Sequence, residues 1–575
     1  MNAKSLPTTQ WRLPEGNRDV QDLLVRELGI NPIISQILTN RDISSPDEAR
    51  KYLSPSLFDL HNPFLMKDMQ KGVRRLIKAI YNREKIVIYG DYDADGITSI
   101  VVLLKFLKEI GNTVDYYIPD RTGEGYGLNR SAIDRMKSNG ANLIITVDCG
   151  ISDLEEVSYA RTIGIDTIIL DHHEVPDRLP NAVAVIDPNR KDCQFPFKHL
   201  AAVGIVFNFL IALRSSLRKD GFWRNNRYPN LKEYLDLVAL GTIGDISPLI
   251  DENRIFTKIG LDLITDDKRI GLKTLKEISG LENQVIDSRG VSFCLTPRIN
   301  AAGRIGSPRD AVELLLADDL KEAREIARKL DAYNRKRQTI EKSIFNEILE
   351  EIKKMADPEK SSSLVFASPK WHPGVIGIVA SRLVDMYCRP AILISLKDGI
   401  GKGSGRSIGD FNIYEGLKRC DSLLLSYGGH QYAAGISIRE EDIKNFTSLL
   451  NGVIQEKVCD FTTQTIIDAQ CNLNNITHDL LCQIDTLAPF GRKNPEPILC
   501  VRNVNVTTPT IVGNNHLRMR VNGDGVSCNS IWFSKGYFIH TLSESALDIV
   551  FTPQINHWKG SDNIQLEMRD IAPPM

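Results

Sequence analysis

The sequence predicts an α/β protein in which a parallel-sheet domain is joined by a long helix to a second α/β domain, with a small β-barrel after it. Three observations predict it. Ile- and Val-rich runs alternate with helix-period stretches between Lys85 and Ile186. A charged stretch from Asp319 to Met355 keeps a helical period with no Pro or Gly. Short alternating runs dominate after Thr463.

Taken in order, residues 1–75 read as short helices, among them Val20–Leu28 and Pro46–Leu53. Apolar runs follow at Lys85–Tyr89, Asp115–Ile118, Leu143–Val147, Thr167–Leu170 and Val183–Ile186, separated by Thr98–Ile110, Ser131–Ser138 and Asp153–Thr162 at helical spacing. Continuous apolar strands between amphipathic helices suggest a parallel sheet covered on both faces. In the charged stretch, Leu320, Ala323, Ile326, Ala327, Leu330 and Tyr333, then Ile340, Ile344, Ile348 and Ile352, share one helical stripe. Unbroken, such a helix reaches ~55 Å and spaces two domains; a pair of packed helices is the alternative. A second α/β segment to Lys457 includes Leu364–Ala367 and Ala391–Ile394. The last strands are Thr465–Ile467, Ile498–Val506, His516–Val521, Cys528–Phe533, Asp548–Phe551 and Asn563–Met568, short and Gly- or Asn-punctuated, which fits an OB-like barrel. The expected domains are 1–75, 76–317, the linker helix 318–357, 358–457 and 462–575.

Bulk composition narrows the class. A chain of 575 residues, 42% hydrophobic and 25% charged, has material for several cores. The start is polar, without the basic-then-apolar pattern of a secretory leader, and no apolar run nears the ~20 residues that span a bilayer. A soluble, cytoplasmic protein with no membrane contact is expected. Ten cysteines without a CxxC pair argue against a zinc ribbon or a disulfide framework. With a net charge of −2, a polyanion has to be held by local basic clusters.

The chemistry is expected at the strand ends. Lys85–Tyr89 leads to Asp91, Asp93 and Asp95 before Gly96; Leu143–Val147 leads to Asp148; Thr167–Leu170 leads to Asp171, His172 and His173; Val183–Ile186 leads to Asp187. Ligands of open α/β sheets bind beyond the carboxyl ends of the strands, so these groups are expected on one rim. One strand-end Asp is usually a turn former, and Asp187-Pro188-Asn189 is read so. Four in register are not four caps: clustered carboxylates repel, and divalent cations resolve the repulsion. An EF-hand is excluded, because the twelfth position from Asp91 is Val102 and a strand, not a helix, precedes the loop. Carboxylates with imidazole suit Mn²⁺, or Mg²⁺ where oxygen dominates, and two such ions ~3.5–4 Å apart can hydrolyse a phosphate ester. No GxxxxGK[ST] loop and no Ser–His–Asp or Cys–His set competes. The glycine-broken helical run Tyr234–Pro248 carries Asp236 and Asp245, and spacing does not choose between them.

These stretches, Asp91–Gly96, Val147–Gly150, Asp171–His173 and Gly241–Asp245, resemble the four motifs of the DHH phosphoesterases. Ile118–Arg121, Gly125–Leu128, Pro297–Arg304, Trp371–Gly377, Gly403–Ser407, Gly428–Gly435 and Pro489–Pro497 narrow the resemblance to that family's single-stranded-DNA exonucleases, over nearly the whole chain. The departures, Ile246 and Ser247 after Asp245 and the unusual residues 215–230, touch no expected ligand. The resemblance implies a DHH domain, a DHHA1-like domain and two Mn²⁺ or Mg²⁺ ions held by Asp93, Asp95, Asp148, His172 and Asp245, which it prefers to Asp236. Asp91 and His173 lie close by, His173 nearer the scissile phosphate than a metal. It also implies 5′-to-3′ removal of nucleotides from single-stranded DNA, a role in repair and recombination, and a monomer working with single-stranded-DNA-binding protein and a helicase.

For the substrate, the glycines of Gly403–Ser407 let backbone N–H groups approach an anion while Arg406 offers a bidentate fork. A terminal 5′-phosphate is the expected guest, helped by Ser404, Arg298 or Arg304, with Arg121 also on the substrate path. Tyr126 is either a stacking platform for a base or a core residue. Gly428–Gly435, with His430, is either a tight turn into a helix or a DNA contact. A family enzyme acting on short oligonucleotides or cyclic dinucleotides is the alternative, against which the barrel speaks. A binding scaffold without catalysis is disfavoured by the complete set of acids.

Overall fold

The Ile- and Val-rich runs form strands β1 (Ile86–Gly90), β2 (Val114–Tyr117), β3 (Leu143–Val147), β4 (Asp166–Leu170) and β5 (Ala184–Ile186). All pair in parallel, in the order β2-β1-β3-β4-β5. Every residue of β1 and β3 is buried, as a sheet covered on both faces requires. Helix α1 (Ala94–Glu109) is buried almost all round and packs against α2 (Ala202–Lys219) and α3 (Leu235–Gly244). The computed structural model describes residues 10–121, 124–223, 228–355, 361–409, 411–457, 464–513, 515–540, 542, 546–558 and 561–574. The domain limits expected at 357–358 and at 462 lie outside them.

Helix α4 (Thr296–Ile305) precedes α5 (Leu320–Lys354), a single 35-residue helix. At 1.5 Å per residue α5 is ~52 Å long. Asp319 caps its N-terminus by accepting the Glu322 N–H. It is packed as well as long. Its first half lies on α4, and Ile344, Ile348 and Ile352 share a core with Trp371, Val375 and Leu383. The second sheet contains β6 (Leu364–Ser368), β7 (Ala391–Lys397), β8 (Ile400–Arg406), β9 (Ser426–Gly429) and β10 (Ala433–Arg439), with α6 (Ile376–Tyr387) beside it. Its order is β9-β10-β8-β7-β6, and only β6 and β7 run parallel. Of the two alternatives for Gly428–Gly435, the turn into a helix is corrected. This stretch is the antiparallel β9–β10 hairpin, with His430 at its tip. Glycines leave such a strand without the apolar period that would announce it.

All of these elements belong to one unit, the described residues of 61–247 and 256–461. A second unit gathers those of 1–60, 248–255 and 462–575. In it, β11 (Leu499–Val512), β12 (His516–Gly523), β13 (Val526–Trp532), β14 (Leu547–Trp558) and β15 (Ser561–Ala572) form a closed five-stranded barrel, β11-β12-β13-β15-β14, with β14 returning to β11. The helices Arg18–Leu28 and Pro32–Asn40 send Leu24, Ile34, Ile37 and Leu38 into the core that holds Leu480, Leu499, Val521 and Phe551. The segment Gln10–Arg12 pairs in parallel with Gln464–Ile466. Among the described residues nine cysteines are free, and no helix is long and apolar enough to cross a membrane.

Candidate active site

The loop from β1 into α1 is shaped by its own acids. Asp93 caps α1, accepting the N–H of Asp95 at 2.9 Å and of Gly96 at 3.2 Å. A Cβ on Gly96 would lie 2.6 Å from the Asp91 carbonyl oxygen, so only glycine fits there. Both Asp95 oxygens accept from the N-terminus of α2, Ala202 N–H at 2.7 Å and Val203 N–H at 2.8 Å. The α4 motif secures the loop from outside. Asn300 Oδ1 accepts the Ala94 N–H at 2.8 Å, and Gly303 leaves room for the Tyr92 carbonyl, which a Cβ would meet at 2.3 Å.

Beyond β3, Asp148 sits at φ 61°, the left-handed region that non-glycine residues seldom occupy and that concentrates at functional sites. Its carbonyl accepts the Tyr126 hydroxyl at 2.9 Å. After β4, Asp171 organises the neighbourhood. One oxygen accepts the Ile151 N–H at 3.0 Å; the other faces the His172 N–H at 2.8 Å, the His173 N–H at 3.3 Å and His173 Nδ1 at 2.7 Å. After β5, Asp187 makes the expected turn by accepting the Asn189 N–H at 2.7 Å, and the Asn189 amide donates to the His172 carbonyl at 2.6 Å.

Asp236 and Asp245 part company. Asp236 is buried in a two-pronged pair with Arg269, at 2.6 and 3.0 Å. Asp245 ends α3 beside the other acids and accepts the Ser247 hydroxyl at 2.6 Å. The α3 glycines permit this approach: a Cβ on Gly241 would lie 2.2 Å from Thr98 Oγ1, and one on Gly244 2.8 Å from the Ala94 Cβ.

His172 stands at the centre, its Nε2 3.2 Å from Asp148 Oδ1 and 3.7 Å from Asp95 Oδ2, its Nδ1 3.9 Å from Asp245 Oδ2. Three overlapping groups have ligand atoms within 4.8 Å of one another: Asp91, Asp93 and Asp148; Asp95, His172 and Asp245; Asp148, His172 and His173. Burial and the nearby Asp245 carboxylate push Asp95 up to about 7. Burial, then Asp93, lifts Asp91, and burial with Asp95 and Asp93 lifts Asp148. Burial opposes a charge on the imidazoles, yet Asp245 and Asp95 carry His172 to about 9, and the Asp171 hydrogen bond carries His173 there too. Asp91 Oδ1 is buried without a hydrogen-bond partner. Crowded carboxylates, an imidazole and an orphaned buried oxygen fit hard or borderline divalent cations.

A basic cluster lies in the same unit. Burial and the guanidiniums of Arg121 and Arg406 lower Arg304 to about 10, and burial and Arg121 lower Arg406, so three like charges share one region. Arg304 donates to the Gly374 carbonyl at 2.9 Å; Arg406 donates to Ser404 Oγ at 3.2 Å and the Gly405 carbonyl at 2.8 Å. Arg121 stacks over the Tyr92 ring at 4.8 Å, and Asp93 is near enough to act on Arg304. Gly377 keeps this place open, since a Cβ there would be 2.8 Å from Ser404 Oγ. Arg298 is not brought to this cluster. It is spent on Asp331 of α5, at 3.0 and 2.9 Å, and on the Cys294 carbonyl at 2.6 Å. Tyr126 is half exposed, its hydroxyl 3.3 Å from His173 Nδ1, and His430 stacks on His173 with ring centroids 5.9 Å apart.

Sequence reasoning missed Asn300 and Asn189, and placed Asp171 on the rim without giving it a role; Ser247, expected to touch no ligand, is corrected, since its hydroxyl donates to Asp245. The signal for Asp171 was there: an Asp ahead of exposed N–H groups folds back on its own loop.

Family models match in order: the DHH family N-terminal domain at 85–242, the DHHA1 domain at 361–456 and the RecJ OB domain at 467–570. The single-stranded-DNA-specific exonuclease RecJ of Bacillus subtilis is 37% identical over 98% of this chain and 71% of its own length. That of Escherichia coli is 34% identical over 97% and 98%. The crystal structure of Thermus thermophilus RecJ in complex with Mn²⁺ superposes with a TM-score of 0.84 at 27% identity, covering 98% of this chain and 80% of that one; the same protein has also been solved with Mg²⁺. Three domain models in sequence, and relatives this similar from end to end, mean that the chain belongs to the RecJ family of DHH-type exonucleases.

Proposed function

We propose that the protein hydrolyses single-stranded DNA from its 5′ end by two-metal chemistry at the strand ends of the first sheet, in DNA repair and recombination. The observation that carries this reading is the meeting of seven ligand-type side chains from four separate motifs beside a cluster of three arginines. Asp91, Asp93 and Asp148 would hold one cation, Mn²⁺ or Mg²⁺; Asp95, His172 and Asp245 would hold the other, and Asp148, whose Oδ1 is 3.2 Å from His172 Nε2, would serve both. When bound, the two ions supply Lewis-acid charge and acidify a water.

The chain's own groups do the rest. Asp171 fixes the orientation of the His173 ring and favours its cationic form, so that His173 meets the anionic scissile phosphate as a donor. Asp95, held by two α2 N–H groups, cannot swing away. Arg406, Arg304 and Arg121 with Ser404 receive the terminal 5′-phosphate, whose charge removes their mutual repulsion. Tyr126, tethered by its hydroxyl, offers its ring to a base, and His430 contacts DNA from the β9–β10 tip. The barrel binds single-stranded DNA, and the enzyme acts as a cytoplasmic monomer alongside single-stranded-DNA-binding protein and a helicase.

Oligomers blocked at one end test the reading. A 5′ block should stop Mn²⁺-dependent degradation and a 3′ block should not; the opposite pattern refutes the polarity. Asp148→Ala should abolish hydrolysis, and wild-type activity in that variant would overturn the site.

A further inference from the structure

The backbone does something costly beside Asp245. Ile246 has φ 58°, so the chain leaves α3 through a left-handed residue. The closing bonds are those of a helix-ending turn of the kind glycine usually makes: Ile246 N–H to the Ile243 carbonyl at 3.1 Å, and Ser247 N–H to the Thr242 carbonyl at 3.2 Å. A β-branched residue is among the least suited to that conformation, and glycine or asparagine among the best. Packing does not explain the choice, since Ile246 is 68% exposed. The turn itself has a use, because it brings the Ser247 hydroxyl to Asp245, but that use asks only for the backbone shape. Across from it, Thr296 lies against Gly244, and the π-helical turn Val291–Leu295 just before Thr296 carries Phe293, which is 75% exposed. A solvent-facing aliphatic group therefore directly follows Asp245, and the segment that leads to Thr296 carries an exposed aromatic one. Single-stranded DNA, the expected substrate, is a polyanion whose apolar surface is the faces of its bases.

We propose that Ile246 is a positioning residue, its side chain pressed against the base of a nucleotide flanking the scissile phosphate. This rests on the single-stranded-DNA reading above and deepens it. The contact recognises a base face and not its edge, so it serves any sequence. It holds the sugar–phosphate unit in register with Asp245, one residue away.

The test uses full-length protein and 5′-phosphorylated oligomers that carry either normal nucleotides or an abasic residue at each of the two positions flanking the first scissile bond. Wild-type protein should prefer the base-bearing oligomer, with kcat/KM about tenfold higher at one of the two positions, the size of a buried aliphatic contact. Ile246→Gly and Ile246→Asn, both at ease in the left-handed turn, should lose that preference and raise KM, while melting no lower than wild type and binding Mn²⁺ as tightly. Ile246→Val should restore it. Undiminished preference in the glycine and asparagine variants overturns the proposal. So does a loss of Mn²⁺ affinity alongside activity, which would make Ile246 a support for Asp245 only. If wild-type protein leaves every oligomer intact, the single-stranded-DNA reading itself has failed, a result separate from either.

Discussion

Replacing Asp236 and replacing Asp245 should have opposite consequences, although both sit on one short helix. Asp236 faces Arg269 with both side chains nearly inaccessible, 5% and 9% exposed, and two N–O distances of 2.6 and 3.0 Å. Asp236→Ala leaves a buried guanidinium without its partner, which costs about 3–5 kcal/mol. With about 1 °C per kcal/mol for a unit of nearly 400 residues, its melting transition should fall by roughly 5 °C. Exonuclease activity at 25 °C should stay within about threefold, since no reacting group is touched. Asp236→Leu with Arg269→Met removes both charges and should recover most of the melting temperature. Asp245→Asn should do the reverse: an almost unmoved melting curve, and activity down by at least about 100-fold through lost metal affinity. Differential scanning calorimetry and a fluorescent 5′-phosphorylated oligomer measure both. A folded Asp236→Ala protein with activity reduced as far as that of Asp245→Asn would refute the division of roles.

Other expectations follow from single contacts. Asp171→Asn should lower kcat by about 100-fold and bring the His173 titration, followed by NMR, down from about 9, because the carboxylate that favours its charged form is gone. Arg406→Ala should erase any preference for 5′-phosphorylated over 5′-hydroxyl ends while sparing Mn²⁺ affinity; an intact preference would remove Arg406 from the phosphate pocket. Asp153 is raised to about 6 by burial while its oxygen accepts the Leu128 N–H at 2.7 Å. The folded state therefore keeps this proton longer than the unfolded chain, and stability falls as pH rises from about 4 to 6. The loss is about 3 kcal/mol, constant above that window. Asp153→Asn should flatten this segment of the pH–melting profile, and an unchanged slope would rule out Asp153 as its source.

The strand-end acids were legible because two rules act together: parallel strands announce themselves by continuous apolar runs, and ligands sit where such strands end. Asp236 and Asp245 were not separable for a geometric reason. Nine residues at about 100° each place them on opposite sides of a helix, and only the packing of Gly241 and Gly244 against α1 decides which side meets the rim. The members of the arginine cluster were named from their motifs, but spacing alone did not separate Arg298 from Arg304. Arg121, Arg304 and Arg406 come from three motifs up to 285 positions apart, and Arg298, in the same motif as Arg304, turns away to Asp331. The N-terminal helices declared an apolar face but not its partner, which proves to be a core shared with a barrel more than 400 residues downstream. The β9–β10 hairpin was hidden by its glycines.

Anomalous scattering from crystals grown with Mn²⁺ and a 5′-phosphorylated oligomer measures the central claim directly. Two peaks ~3.5–4 Å apart should appear, one among Asp91, Asp93 and Asp148 and the other among Asp95, His172 and Asp245, with the oligomer's 5′-phosphate at Arg406. A single peak, or peaks away from these carboxylates, would contradict the two-metal account.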